Sequence, residues 1–131
     1  MTNSTSEPGC PFCPQQISGC IVAQNPTMTA IKDGFPVSSG HLLILPKRHV
    51  SDFFELTEAE QMDALRLIHT LKQNITESDT SVTGFNIGVN IGRSAGQTVC
   101  HCHVHLIPRR DGDTPQPRGG VRGVIPEKMN Y

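Results

Sequence analysis

The run Cys100-His-Cys-His-Val-His-Leu-Ile-Pro108 places three of the chain's six histidines, His101, His103 and His105, at strict alternation. Successive side chains of a strand turn to opposite faces, so the three imidazoles would share one face and Cys102, Val104 and Leu106 the other. Steps of roughly 3.3 Å set neighbouring imidazoles about 7 Å apart and the outer pair about 13 Å apart, a spacing that lines a groove. A helix would scatter them, and the β-branched and aliphatic neighbours favour the strand. A neutral imidazole nitrogen can act as a nucleophile at neutral pH without first losing a proton. His-x-His on a strand can instead present two imidazoles to one catalytic zinc, so metal-assisted hydrolysis is a second chemistry for this run. A Cys/His dyad is disfavoured, because Cys102 points away from the imidazoles.

A second cluster lies at Cys10-Pro-Phe-Cys13. Five cysteines, an odd number, argue against a disulfide framework and for thiol or metal chemistry. Two thiolates at this spacing can take two corners of a tetrahedral zinc site, with two histidines for the rest, and unmetallated thiols are the alternative. Cys102 reads as a small packing hydrophobe, while spacing assigns no role to Cys20 or Cys100.

The elements that must hold these residues read as an antiparallel α+β fold. Strands are expected over 27–31 and 41–45, the second ended by Pro46 and buried on both faces because its apolar run is continuous. Thr57-Glu-Ala-Glu60 has the capping-box pattern, which predicts a helix from about Glu58 to about Asn74. Its core face is read as Met62, Ala64, Leu65, Ile68, Leu71 and Ile75, with His69 an ordinary helix residue. A strand over 85–90 would carry Phe85, Ile87 and Val89 on one side. Residues 1–9 read as a frayed tail, 10–126 as one domain and 127–131 as a C-terminal tail. The stretch from Arg109 to Tyr131 reads as an irregular arm.

Composition excludes several partners. A net charge of −1 gives no footprint for duplex nucleic acid, and one Tyr with no Trp leaves little for stacking bases. The sequence has no apolar run of membrane-spanning length, and its first residues lack the pattern of a signal peptide. The expected setting is therefore cytoplasmic, without membrane contact.

The segment Gln97-Thr-Val-Cys-His-Cys-His-Val-His-Leu-Ile-Pro108 closely resembles the signature of the histidine-triad (HIT) superfamily. Asp33, the stretch Gly40-His-Leu-Leu-Ile-Leu-Pro46, His49 and Asn90 stand where that family has its other motifs, so the similarity covers about 10–126. The end of the chain looks like bacterial members related to dinucleoside-polyphosphate hydrolases. The resemblance implies a sheet of about five antiparallel strands with one long helix and a short N-terminal helix. It also implies a homodimer and a small-molecule nucleotide substrate cleaved through a covalent nucleotidyl-histidine. That substrate is a dinucleoside polyphosphate or a nucleoside phosphoramidate. The other readings are a metal-dependent hydrolase and a non-catalytic nucleotide-binding or scaffold module.

Residue by residue, the resemblance makes His103 the nucleophile, with its Nδ1–H expected on a backbone carbonyl and Nε2 free. His105 would hold a phosphate oxygen, Gln97 and Asn90 would donate to phosphates, and Thr98 would stand near the leaving group. His41 would lie beside the nucleophile, Asp33 would accept from the ribose hydroxyls, and Phe12 and Ile31 would flank the base. Cys10, Cys13, His49 and His101 would hold a structural zinc, with no organic cofactor. Cys100 and Cys102 depart from the family pattern, which commonly has a larger apolar residue at position 102.

Overall fold

Leu42–Pro46 is apolar without interruption, and it becomes the strand buried along its whole length. The computed structural model describes residues 9–131, so the tail expected over 1–9 lies, save Gly9, outside the described residues. In chain order the elements are α1 (Pro14–Ile17), β1 (Ile21–Gln24), β2 (Met28–Lys32), β3 (Leu42–Pro46), α2 (Glu58–Ser78), β4 (Gly84–Val89) and β5 (Val104–Arg109). The five strands form one antiparallel sheet in the order β1-β2-β3-β5-β4. The fold is thus the expected α+β class: a five-stranded antiparallel sheet, one long helix and a short N-terminal helix.

Alternation along β3 divides the core in two. Leu42 and Ile44 join Val104, Leu106 and Cys102 against Ala64, Leu67, Ile68 and Leu71 of α2. Leu43 and Leu45 face the other way, with Ile17, Ile31 and Phe12. The long helix therefore covers the face opposite His105, while Phe12 and Ile17 cover part of the histidine side.

The capping box of α2 forms as expected: Thr57 Oγ1 accepts the Glu60 N–H at 3.1 Å, and Glu60 Oε1 accepts the Thr57 N–H at 2.9 Å. Two expectations for this helix need correction. It continues past Asn74 to Ser78, and its core stripe is Ala64, Leu67, Ile68 and Leu71, while Met62 and Leu65 are about half exposed. At 3.6 residues per turn, Leu65 lies about 110° and Met62 about 170° from the centre of that stripe. Glu60 falls on the buried side, where Arg48 meets it at 2.8 and 3.1 Å.

The histidine run is only partly a strand. Val104 pairs with Ile44 of β3 and Val89 of β4, and the ladder ends there, so His101 and His103 precede β5 rather than belong to it. Pro46 has no N–H to extend the pairing, and the Cys102 N–H donates instead to the Val50 carbonyl at 2.7 Å. The short, largely exposed edge strand β1 was not singled out by periodicity. The expected irregular arm contains two short 3₁₀ turns, Gly120–Val124 and Pro126–Lys128, and Tyr131 has the Arg118 and Arg122 guanidinium groups 4.8 and 4.9 Å from its ring. Among the described residues no helix is long and apolar enough to cross a membrane.

Candidate functional site

Strand register builds the site. Ile31 pairs with Leu43, Leu43 with His105 and His105 with Gly88, so these four form a row across β2, β3, β5 and β4 on the face away from α2. At one end Ile31 and Phe12 pack in the second core cluster; Gly88 stands at the other.

His103 lies just before β5, its ring 5.3 Å from that of His105 and 4.9 Å from the edge-on Phe12 ring. His103 Nδ1 is 2.8 Å from the His101 carbonyl oxygen. A carbonyl only accepts, so in the neutral ring Nδ1 carries the proton and Nε2 the lone pair. This is the tautomer an attacking imidazole needs.

A second tautomer follows from the backbone. The Val37 N–H donates to His41 Nδ1 at 3.1 Å, which places the proton of neutral His41 on Nε2. His41 Nε2 is 2.9 Å from His105 Nδ1, so His105 accepts there and carries its own proton on Nε2. Asp33 Oδ2 stands 3.3 Å from His41 Nε2 and 3.8 Å from His105 Nδ1, and Asp33 Oδ1 accepts the Phe35 N–H. Burial pushes both imidazoles below the ordinary histidine value, with Asp33 pulling the other way, so both stay neutral near pH 7. Asp33, His41 and His105 are close enough to hold a cation. Binding through His41 Nε2, however, would require a ring with both nitrogens unprotonated while Nδ1 still accepts from Val37. The geometry favours the hydrogen-bonded chain over a metal.

The Cys10, Cys13, His49 and His101 side chains converge elsewhere. Cys10 Sγ is 3.3 Å from His101 Nδ1, and Cys13 Sγ is 3.3 Å from His49 Nδ1 and 3.5 Å from His101 Nδ1. Tetrahedral zinc with bonds of about 2.3 Å to sulfur and 2.0–2.1 Å to nitrogen puts S and N about 3.5 Å apart, so the set fits that ion. His101 Nε2–H donates to the Pro46 carbonyl at 2.9 Å, which leaves Nδ1 free to ligate. Burial holds His101 down at about 4, against the Pro46 bond that raises it, so its lone pair is available at pH 7. His101 is fully buried and so does not line the groove with its two neighbours.

The remaining expected residues divide. Asn90 lines a cavity with His41 and His105. Gln97 is turned into its own loop: its amide donates to the Ser51 and Val99 carbonyls at 2.6 and 3.0 Å, and its oxygen accepts the Gly92 N–H. Both of its donors are engaged, which makes it a brace for the 91–99 segment. Thr98 lies beside Cys10, His49 and Cys100 in a different hollow from the one that His105 lines. Sequence reasoning missed the Val37 amide, which no side-chain motif can signal, and Gly88. The latter was legible, since alternation in 85–90 puts Asn86, Gly88 and Asn90 on the face opposite Phe85.

The HIT domain family model matches residues 15–112. The chain is 34% identical over 116 residues to an AP-4-A phosphorylase of Mycobacterium tuberculosis, covering 85% of this chain and 59% of that protein. It is 40% identical over 78 residues to the asymmetrical bis(5′-nucleosyl)-tetraphosphatase of Schizosaccharomyces pombe, covering 60% of this chain and 42% of that protein. The chain thus spans about half the length of these curated relatives. A zinc-bound histidine triad family protein of Mycobacterium smegmatis superposes with a TM-score of 0.73 at 30% identity, covering 82% of this chain and 80% of that one. With its sheet, its histidine run and three quarters of its length matched, the chain belongs to the HIT domain family.

Proposed function

We propose that this protein is a nucleotidyl hydrolase or transferase that attacks the α-phosphorus of a nucleoside 5′-phosphate derivative with His103. The observation that carries this reading is the His103 tautomer, with Nδ1–H on the His101 carbonyl and Nε2 free. In the first step the Nε2 lone pair forms a bond to phosphorus as the bond to the leaving group breaks. The positive charge that the ring gains is shared with the carbonyl that Nδ1–H faces. In the second step water, or another acceptor, takes the nucleotidyl group and returns His103 to its starting form. His105 presents Nε2–H to an oxygen that gains charge, and His41 and Val37 hold that proton in place.

The same tautomer bears on the substrate. Neutral His105 donates a hydrogen bond but has no surplus proton to give away. A leaving phosphate departs as an anion and needs only that hydrogen bond, whereas an amine leaving group needs a proton. This favours dinucleoside polyphosphates over phosphoramidates, in line with the names of the two curated relatives. Ile31, Phe12 and Asp33 are read as the nucleoside end and Asn90 as a phosphate donor, with residues 10–126 as the working domain.

Cys10, Cys13, His49 and His101 are read as a structural zinc site. Bound there, the ion would tie the 10–13 segment to the run before β5 and so fix the backbone carbonyl that orients His103. A homodimer joined along the edge of β4, which among the described residues pairs only with β5, completes the reading; light scattering of the purified protein tests it.

The test of the reaction is acid quench after mixing with diadenosine tetraphosphate labelled in the α-phosphate. Label should appear on the wild-type chain and be absent from His103→Ala. Turnover without any protein-bound label, under conditions that slow the second step, contradicts the covalent route.

A further inference from the structure

A cavity of about 420 Å³ opens beside His105 at the β4 end of the sheet, in the size range of small-ligand sites. His41, His105 and Asn90 line its inner side, and Gly120, Val121, Gly123 and Val124 of the C-terminal 3₁₀ turn form its outer wall. His103, Phe12 and Ile31 are not part of it.

We infer that this cavity is the subsite for the leaving group, and that it takes the second nucleoside of a dinucleoside polyphosphate. The inference rests on the proposed reaction and adds to it a location and a recognition surface. The strand register supplies the first argument. The row Ile31, Leu43, His105, Gly88 runs from the nucleoside end, past the histidine that meets the charged oxygen, to the floor of the cavity. With strands about 4.8 Å apart, His105 to Gly88 is one step, so a group leaving past His105 enters the cavity directly.

The lining supplies the second argument. Val37, Ile87, Ile107, Val121 and Val124 give apolar surface for a planar base, and Asn86 gives an amide for its edge or for ribose hydroxyls, with Asn90 left to the phosphates. Inorganic phosphate alone would leave the apolar walls unfilled, and the lining has no lysine or arginine to hold its charge.

Gly88 supplies the third. It stands directly opposite His105, and a Cβ built on it meets nothing within 4 Å. Its φ is not positive, so the backbone does not require glycine. Glycine inside a strand weakens the strand and commonly marks a place where another group approaches closely. Here the room it leaves opens into the cavity.

The wall is itself built to stay. Tyr131 is flanked by Arg118 and Arg122, and Arg122 donates to the Lys128 carbonyl at 3.0 Å. Gly119 has a positive φ and lies against the Met129 backbone so closely that any side chain would collide. The turn that closes the cavity is thus pinned from behind.

The test compares diadenosine tetraphosphate with adenosine 5′-tetraphosphate. Both offer the same scissile bond and a polyphosphate leaving group, and they differ by one nucleoside. The ratio of kcat/KM for the first over the second should exceed ten in the wild type and fall at least tenfold in Gly88→Ile, which fills the space with a good strand former. Val124→Asp, which changes the far wall without touching the histidines, should lower the same ratio. Calorimetry on His103→Ala supplies an arm that needs no turnover: it should bind the dinucleotide at least tenfold more tightly, and His103→Ala/Gly88→Ile should bind both equally. Equal affinity of His103→Ala for the two compounds, or a ratio that neither variant moves, overturns the subsite. Tighter dinucleotide binding without any nucleotidylated His103 would instead sink the covalent reaction and leave the subsite standing.

Discussion

His41 Nε2 lies 2.9 Å from His105 Nδ1, and the other nitrogen of His41 accepts the Val37 backbone N–H, so a main-chain amide determines which nitrogen of His105 carries its proton. Replacing His41 removes the donor that holds this tautomer. His41→Leu should lower kcat by about 100-fold, the scale of a lost positioned proton donor, with much less change in KM. His41→Gln, whose amide can still donate towards His105, should recover part of the loss. Steady-state kinetics of both variants checks this, and equal rates for Leu, Gln and wild type would show that the Val37 anchor does not matter.

The same pair sets a pH dependence. Burial lowers both imidazoles from 6.5, so below that value the unfolded chain takes up protons that the folded chain resists. Their contribution to stability is complete above about pH 6.5 and declines as the pH falls towards the folded values. Urea midpoints at pH 7.5 and 5.5 should differ more for the wild type than for His41→Leu; an equal difference in the two proteins contradicts the assignment.

Much of this arrangement was legible before any coordinates. The alternation in 104–109, the capping box at Thr57 and the continuous apolar run of β3 are local patterns, and local patterns survive in the fold. What failed were judgements that depend on neighbours. Met62 and Leu65 have the right residue type, but the sheet meets α2 on the stripe through Ala64 and Ile68. His101 has the right spacing for the groove, yet the ladder stops at Val104 because Pro46 cannot extend it. Gln97 looked like a free amide until the Ser51 carbonyl, 46 residues away in sequence, proved to occupy it. The Val37 amide lay outside any reading based on side chains.

The Cys/His cluster predicts a metal dependence that is structural. Purified protein should hold one zinc per chain after dialysis, and Cys13→Ser should lose it. Removal of the ion should cost several kcal/mol and lower Tm on the order of 10 °C, because two thiolates and two imidazoles then lack a shared partner. Brief EDTA treatment below the lowered Tm should lower activity only in part, through the looser His101 carbonyl behind His103, since no step of the proposed attack uses the ion. Metal analysis with calorimetry before and after chelation decides, and complete loss of activity in a chelated protein that is still folded would favour a catalytic metal.

The five cysteines should label in a fixed order. Cys20 and Cys100 are exposed, Cys10, Cys13 and Cys102 are buried, and burial pushes the Cys102 thiol up to about 12. Only a thiolate is alkylated quickly, so Cys102, packed beside Val104 and Leu106, should stay unlabelled until the chain unfolds. Iodoacetamide should therefore mark Cys20 and Cys100 in the native zinc-loaded protein. After chelation Cys10 and Cys13 should join them, because the ion that shields their sulfurs is gone while the core around Cys102 is not. Peptide mass mapping at each stage reads the order. Early labelling of Cys102 would show that β5 opens to solvent while folded, and protection of Cys10 and Cys13 unchanged by chelation would remove zinc as the cause of their shielding.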